Sequence, residues 1–325
     1  MKRFCADKSE KDRKQKMVNR QEYFIRYIMA NTKINKFNNL FFEYKLKTYF
    51  LNLKKYRIQM INEYALVTGA SSGIGLEISK CLAVRGYSLI LVSRRKQKLD
   101  EIRNDLTNQF KVKVDIIPAD LEDMKTPELI YNYCKGKGYF INLLVNNAGY
   151  ALPKPFHETP MEDEEKFLRV LGISVVALTK LFIKDMIREK KGKIMMISSV
   201  AAFAPPSSIQ TLYGPVKTFI NRFSEGLNLS YNSLGITSTA ICPGYTITNF
   251  HTASGVQNEI DRVPSFMKKK ASRVGEEAVV ETLKGKKVYV PTLTFKVIVF
   301  LLKVMPQSLF WFFSKRLAPG RYEKI

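Results

Sequence analysis

The sequence predicts a single doubly wound α/β domain on a parallel sheet, covering about residues 60–290. Three observations carry that expectation. Short apolar runs recur along the chain, each bounded by turn residues. Longer segments of helical period separate them, and a glycine-rich turn stands between the first run and the first helical segment. Strands buried on both faces read as continuous apolar runs, and their regular alternation with helices points to a parallel sheet.

The elements follow in order. YALVT (64–68) leads through TGASSGIG into a helix over Ile74–Arg85, and YSLILVS (87–93) into a helix over Lys96–Phe110. VKVDIIP (112–118) precedes a helix after Pro127, and FINLLVN (140–146) precedes a long helix across Glu162–Glu189. KIMMIS (193–198), a helix after Ser208 and ITSTAIC (236–242) complete the series. No internal repeat is evident. Met161–Glu165 places acidic residues at the start of the long helix, where the helix dipole favours them and no site is needed to explain them.

Composition narrows the function classes. Of 325 residues, 46% are apolar, enough for a sizeable core, so wholesale disorder is excluded. The four cysteines (Cys5, Cys81, Cys134, Cys242) are far apart without a CxxC, and His157 and His251 have no ligand-spaced partner. A disulfide scaffold and a metal site are therefore not expected, and a reducing, cytoplasmic setting fits. The net charge is +24, but residues 1–60 carry 16 Lys/Arg against 5 Asp/Glu, or +11 of it. Residues 1–59 read as a basic, weakly amphipathic extension, and Met60 opens MINEYALVTG in the position of a plausible native start. Outside the extension the lysines are dispersed, as on solvated helix faces, which argues against nucleic acid as a partner.

The tail, 291–325, has its own character. Leu293–Phe313 is strongly apolar but is interrupted by Lys296, Lys303 and Pro306, which argues against a bilayer span. Two short amphipathic helices fit better, packed on the domain or a second subunit, or lying in a membrane interface as a peripheral contact.

TGASSGIG carries the first chemistry. Gly69, Gly73 and Gly75 let the backbone turn tightly and approach a pyrophosphate, while Ser71, Ser72 and Ile74 lie where N–H groups of the helix start face it. After the second strand an acidic residue would bond ribose hydroxyls and repel a 2′-phosphate. This chain has Ser93, Arg94 and Arg95 instead. Arg94 is read as the phosphate ligand, Arg95 and Lys96 as the charged first turn of the next helix, and NADP(H) is preferred over NAD(H).

Further motifs appear in order. Asp120-Leu121 follows the third strand, Asn146-Asn147-Ala148-Gly149 the fourth, and Ser198-Ser199 the fifth; Tyr213-Gly-Pro-Val-Lys217 comes next, and Pro243-Gly244, with Thr246 and Thr248, follows the sixth strand. Together with the glycine loop, these resemble the short-chain dehydrogenase/reductases over about 230 residues, in particular the members handling acyl and steroid ketones. The resemblance implies that Asp120 and Leu121 sit near adenine, Asn147, Ala148 and Gly149 beside the cofactor, and Pro243, Gly244, Thr246 and Thr248 by the nicotinamide. It also implies a homo-oligomer and a substrate-binding segment at 245–267, whose Phe250, Val256, Ile260 and Phe266 suggest an apolar lining.

The residues account for the chemistry. Tyr213 and Lys217, four apart on a helix, share a face. A nearby ammonium favours the phenolate, which suits a tyrosine for proton exchange with a carbonyl or alcohol oxygen, and the same lysine can hold ribose hydroxyls. Ser199 would hydrogen-bond that oxygen. Three features depart from the family: Leu171 occupies the place of an asparagine that anchors a relay water, Ser199 lies 14 residues before Tyr213, one more than usual, and Pro215 falls inside YxxxK. The expected function is NADP(H)-dependent interconversion of a ketone and a secondary alcohol on a hydrophobic substrate, in the direction of reduction. The alternative is an NADP(H)-binding regulator or scaffold with impaired catalysis.

Overall fold

YALVT forms β1 (Tyr64–Thr68), buried along its whole length inside a seven-stranded sheet. In the computed structural model the described residues are 64–152, 154–205, 211–248, 264–304 and 306. The extension at 1–59, Met60, the apolar positions Phe250, Val256 and Ile260, and the tail beyond Pro306 lie outside them, as does the side chain of Phe266. Contacts divide the chain into two units. One comprises Asn62–Ala83 and Tyr87–Ile325 and holds the sheet; of the other, Met1–Ile61 with Val84–Gly86, only Val84–Gly86 is described.

The remaining strands are β2 (Ser88–Ser93), β3 (Val114–Pro118), β4 (Ile141–Asn146), β5 (Gly192–Ile197), β6 (Ile236–Ile241), a short pair β7 (Thr246–Ile247) and β8 (Lys269–Lys270), and β9 (Val288–Tyr289). The large sheet runs β3-β2-β1-β4-β5-β6-β9 with every pair parallel. The chain builds outward from β1 to β3 and then crosses back to lay β4 beside β1. That reversal opens a crevice at the carboxyl ends of the strands, the usual ligand position in such sheets.

Eight helices appear among the described residues: α1 (Gly73–Val84), α2 (Lys96–Phe110), α3 (Thr126–Gly136), α4 (Met161–Leu168), α5 (Ser174–Arg188), α6 (Tyr213–Tyr231), α7 (Ala271–Leu283) and α8 (Leu293–Val304). Phe167, Leu178, Phe182, Met186 and Ile220 pack from the helices onto Leu66, Ile90, Leu144 and Ile194 of the sheet in one buried cluster. Cys81, Cys134 and Cys242 are buried, and none of them is in a disulfide.

Three differences from the sequence reading have physical causes. The expected continuous helix over Glu162–Glu189 is interrupted by a π-helical turn at Arg169–Ile173. Gly172 relaxes the backbone there, and Ser174 Oγ donates to the carbonyl of Val170 at 2.7 Å. The helix expected after Ser208 begins at Tyr213, so Pro215 falls in its first turn, where a missing N–H costs no helical hydrogen bond. Finally, α7 and the edge strand β9 complete the sheet, with Val288 opposite Ala240 and Tyr289 opposite Ile241. A two-residue strand is too short to give a periodic signal.

Candidate active site

The crevice is a cleft of about 800 Å³ floored by the ends of the central strands. At its head Gly69 takes φ +65°, a conformation that favours glycine, as the chain leaves β1 for the loop. Asn147 locks this loop to the end of β4. Its Nδ2 donates to the carbonyls of Thr68 at 2.9 Å and Gly69 at 3.3 Å, while Thr68 Oγ1 accepts from the backbone N–H groups of Asn147 and Ala148. A Cβ on Gly75 would collide with Asn147 Nδ2 and the Gly69 carbonyl, so α1 can approach this closely only with glycine there. The N–H groups and positive dipole end of α1 therefore face the cleft, a fitting seat for a pyrophosphate.

The two arginines after β2 behave differently. Arg94 Nη1 stands 3.2 Å from Glu122 Oε1 and 3.6 Å from Asp120 Oδ2, so its charge already faces two carboxylates. Arg95 caps the start of α2, yet its Nη2 turns back to donate to Ser71 Oγ at 2.8 Å and Ser72 Oγ at 2.9 Å. Arg95 stands exposed at the start of α2, as the sequence suggests, and its guanidinium also lines the cleft beside Arg94. No pattern in the sequence distinguishes these neighbours, because the direction of each side chain depends on how the strand hands over to the helix.

Asp120 Oδ1 accepts from the Glu122 N–H at 3.0 Å, shaping the turn that places Asp120 and Leu121 on the cleft wall. Thr248 lies against Gly73 of the glycine loop, and Thr246 Oγ1 donates to the Gly244 carbonyl at 3.0 Å. Gly244 is itself covered by the Phe295 ring of α8, leaving no room for a Cβ.

Lys217 and Tyr213 project from the first turns of α6. Lys217 is buried, and its Nζ donates to the Ile197 carbonyl at 2.8 Å and lies 5.5 Å from the centre of the Tyr213 ring. Burial pushes the Lys217 ammonium down to about 8, against a smaller upward pull from Cys242. The adjacent serines have separate jobs. Ser198 Oγ is buried and donates to the Lys217 carbonyl at 3.0 Å. Ser199 caps a short turn over Val200–Ala202, its Oγ accepting from the Ala201 N–H at 3.1 Å, which leaves its O–H to donate into the cleft. Leu171 reaches the same cleft from the π turn, 1% exposed and packed towards Gly149. It presents hydrocarbon to the cleft.

Of the described residues named from sequence for catalysis or cofactor binding, all but Gly75, which lies beneath the loop, line this cleft: Gly69, Ser71, Ser72, Gly73, Ile74, Arg94, Asp120, Leu121, Asn147, Ala148, Gly149, Ser199, Tyr213, Lys217, Pro243, Gly244, Thr246 and Thr248. Among the described residues no group of His, Cys, Asp and Glu could hold a metal ion.

Residues 63–259 match the short chain dehydrogenase family. The chain belongs to that family. Among curated relatives, the very-long-chain 3-oxoacyl-CoA reductase of Anas platyrhynchos is 36% identical over 200 residues, covering 60% of this chain and 63% of the relative. The Danio rerio very-long-chain 3-oxoacyl-CoA reductase-B is 30% identical over 223 residues, covering 67% and 71%. The chain thus spans less than two thirds of the duck relative's length. Among solved structures, a short-chain dehydrogenase from Sphingobium yanoikuyae in complex with NADPH superposes with a TM-score of 0.68 at 28% identity, covering 76% of this chain and 94% of that one. A bulky-bulky ketone specific alcohol dehydrogenase from Comamonas testosteroni gives 0.63 at 26%, covering 76% and 96%. As in other short-chain dehydrogenases, the parallel sheet and flanking helices form a Rossmann-type fold.

Proposed function

We propose that this short-chain dehydrogenase is an NADP(H)-dependent reductase of a 3-oxo group on a hydrophobic acyl substrate, the substrate type named for its curated relatives. The observation that carries the reading is the convergence of Ser199, Tyr213 and buried Lys217 on one cleft whose head is a glycine cradle at a helix start. The donor set fits the cofactor: the α1 N-terminus for its pyrophosphate, Arg95 with Ser71 and Ser72 for a 2′-phosphate, Asp120 and Leu121 for adenine, and Lys217 for ribose hydroxyls.

When bound, NADPH supplies the hydride that reduces the carbonyl carbon. The chain's own residues handle the oxygen. Ser199 donates a hydrogen bond to the carbonyl oxygen and fixes its direction. Tyr213 donates its phenolic proton as charge develops on that oxygen, and the Lys217 ammonium stabilises the phenolate left behind. The Ile197 carbonyl holds Lys217 in place, and Ser198 ties the same stretch of α6 to the end of β5.

A second reading, an NADP(H)-binding scaffold, is favoured by buried Leu171, which puts hydrocarbon in the cleft at the place where the family resemblance implies an asparagine. NADPH consumption measured with medium-chain 3-oxoacyl thioesters and steroid ketones separates the two. Turnover that Tyr213→Phe abolishes supports the reductase; tight NADPH binding without turnover on any ketone overturns it.

A further inference from the structure

Helix α8 is apolar on two opposite faces. Phe295 and Val299 are buried, Phe295 against Gly244 and Tyr245 at the cleft wall. The other face carries Leu293, Val297, Phe300, Leu301 and Val304, between 45% and 74% exposed. The spacing of 293, 297, 300 and 304 follows the helical period and forms one stripe. An apolar stripe of this kind in water marks a surface that something covers.

We propose that this stripe docks on the surface of an anionic lipid bilayer, with α8 lying in the interface beside the mouth of the cleft. Charge complementarity selects the occupant. Along α8 itself the only charged residues are Lys296 and Lys303, with no Asp or Glu. Lys296 Nζ meets the Tyr289 hydroxyl and ring, and Lys303 Nζ lies 4.9 Å over the Phe203 ring. Neither meets a carboxylate among the described residues, and helical geometry puts both on one border of the stripe. Apolar side chains edged by lysines suit an interface whose headgroups are negative.

The described helix does not reach across a bilayer. Its 12 residues span about 18 Å, short of the roughly 30 Å hydrocarbon core, and no described helix is long and apolar enough to cross a membrane. Its attitude is fixed: Glu277 Oε2 accepts from the Thr292 N–H at 2.9 Å and from the Tyr289 hydroxyl at 3.0 Å, immediately before the helix begins. Because Lys303 sits on Phe203, in the turn after Ser199, the docked face borders the substrate's way in. That last point rests on the proposed function: an acyl chain dissolved in the bilayer reaches the cleft without crossing water.

The test is co-flotation of the full chain with vesicles of equal parts phosphatidylcholine and phosphatidylserine, or of phosphatidylcholine alone. The wild type floats with the anionic vesicles and at least about tenfold less with the neutral ones. V297E/F300E loses at least about tenfold of the anionic binding. Leu229→Glu, at a site 90% exposed on α6, keeps it. No flotation of the wild type, equal flotation of V297E/F300E, or a wild-type particle mass that this variant halves in the absence of vesicles would each overturn the proposal. The last result would assign the stripe to a second copy, and equal flotation would place membrane contact elsewhere. Reduction of a soluble short-chain 3-oxoacyl thioester is followed in the same samples. Flotation without reduction counts against the proposed function alone; reduction without flotation counts against the docking surface alone.

Discussion

Arg95→Ala is expected to separate NADPH from NADH. Arg95 holds Ser71 and Ser72 through one guanidinium nitrogen and has further N–H groups for an anion at the same place, whereas Arg94 already faces Glu122 and Asp120. A charge-assisted hydrogen bond to phosphate contributes about 1.5–3 kcal/mol when shielded. Arg95 is exposed, and solvent screening reduces that to about 1–2 kcal/mol, or roughly a 5–30-fold loss of NADPH affinity. NADH affinity, lacking the 2′-phosphate, should change by less than about twofold. Arg94→Lys, which keeps a cation beside Glu122 and Asp120, should cost NADPH less than Arg95→Ala. Fluorescence titration of each variant with both cofactors reads all these quantities. Equal losses for NADPH and NADH, or a larger loss at Arg94, would refute the assignment of the phosphate to Arg95.

The other expectations concern the core of the cleft. For Lys217, folding lowers the ammonium from 10.5 to about 8, so between those values the unfolded chain holds more protons and stability rises with pH. Lys217→Met should therefore stabilise the cofactor-free protein by about 1–3 kcal/mol at pH 7, a gain that shrinks as pH rises from 8 to 10.5, while activity falls at least about 100-fold; thermal melts across pH and initial rates check both. In the wild type, the ammonium's support of the Tyr213 phenolate should fade as pH rises through about 8, visible as a falling limb in the pH–rate profile. Gly75→Ala should cost more than about 2 kcal/mol in chemical denaturation and most of the NADPH affinity, because its Cβ meets Asn147 and the Gly69 carbonyl. Leu171→Asn should raise kcat several-fold with KM unchanged if loss of the water anchor limits turnover, at a stability cost of about 1–3 kcal/mol for burying an amide; an unchanged kcat would show that the proton leaves by another route.

How far the sequence was legible depended on the range of the interactions involved. The six main strands declare themselves because burial on both faces demands uninterrupted apolar runs, as in Leu89–Val92. The cleft lining was legible because a tight turn, a helix start and an i, i+4 pair are local requirements, met by Gly69, Gly73 and the Tyr213–Lys217 spacing. Other features depend on contacts between distant segments. The π turn at Arg169–Ile173 continues the helical period closely enough to read as α-helix, and β9 exists only because β6 offers an edge. The same holds for Arg95, whose partners Ser71 and Ser72 lie more than 20 residues away. The adjacent serines are a further case: only the tertiary partner, the Lys217 carbonyl, shows that the Ser198 hydroxyl is already committed. The tail divides in the same manner, since its apolar content is plain from composition but its two faces are separated by what Phe295 and Val299 touch.

The most direct test of the central claim is NADPH oxidation with a medium-chain 3-oxoacyl thioester, comparing the wild type with Tyr213→Phe at equal, saturating cofactor. Steady turnover to the 3-hydroxy product by the wild type, reduced at least about 100-fold in Tyr213→Phe with NADPH affinity unchanged, is the expected result. Wild-type turnover that survives loss of the Tyr213 hydroxyl, or NADPH binding with no turnover in either protein, would contradict it.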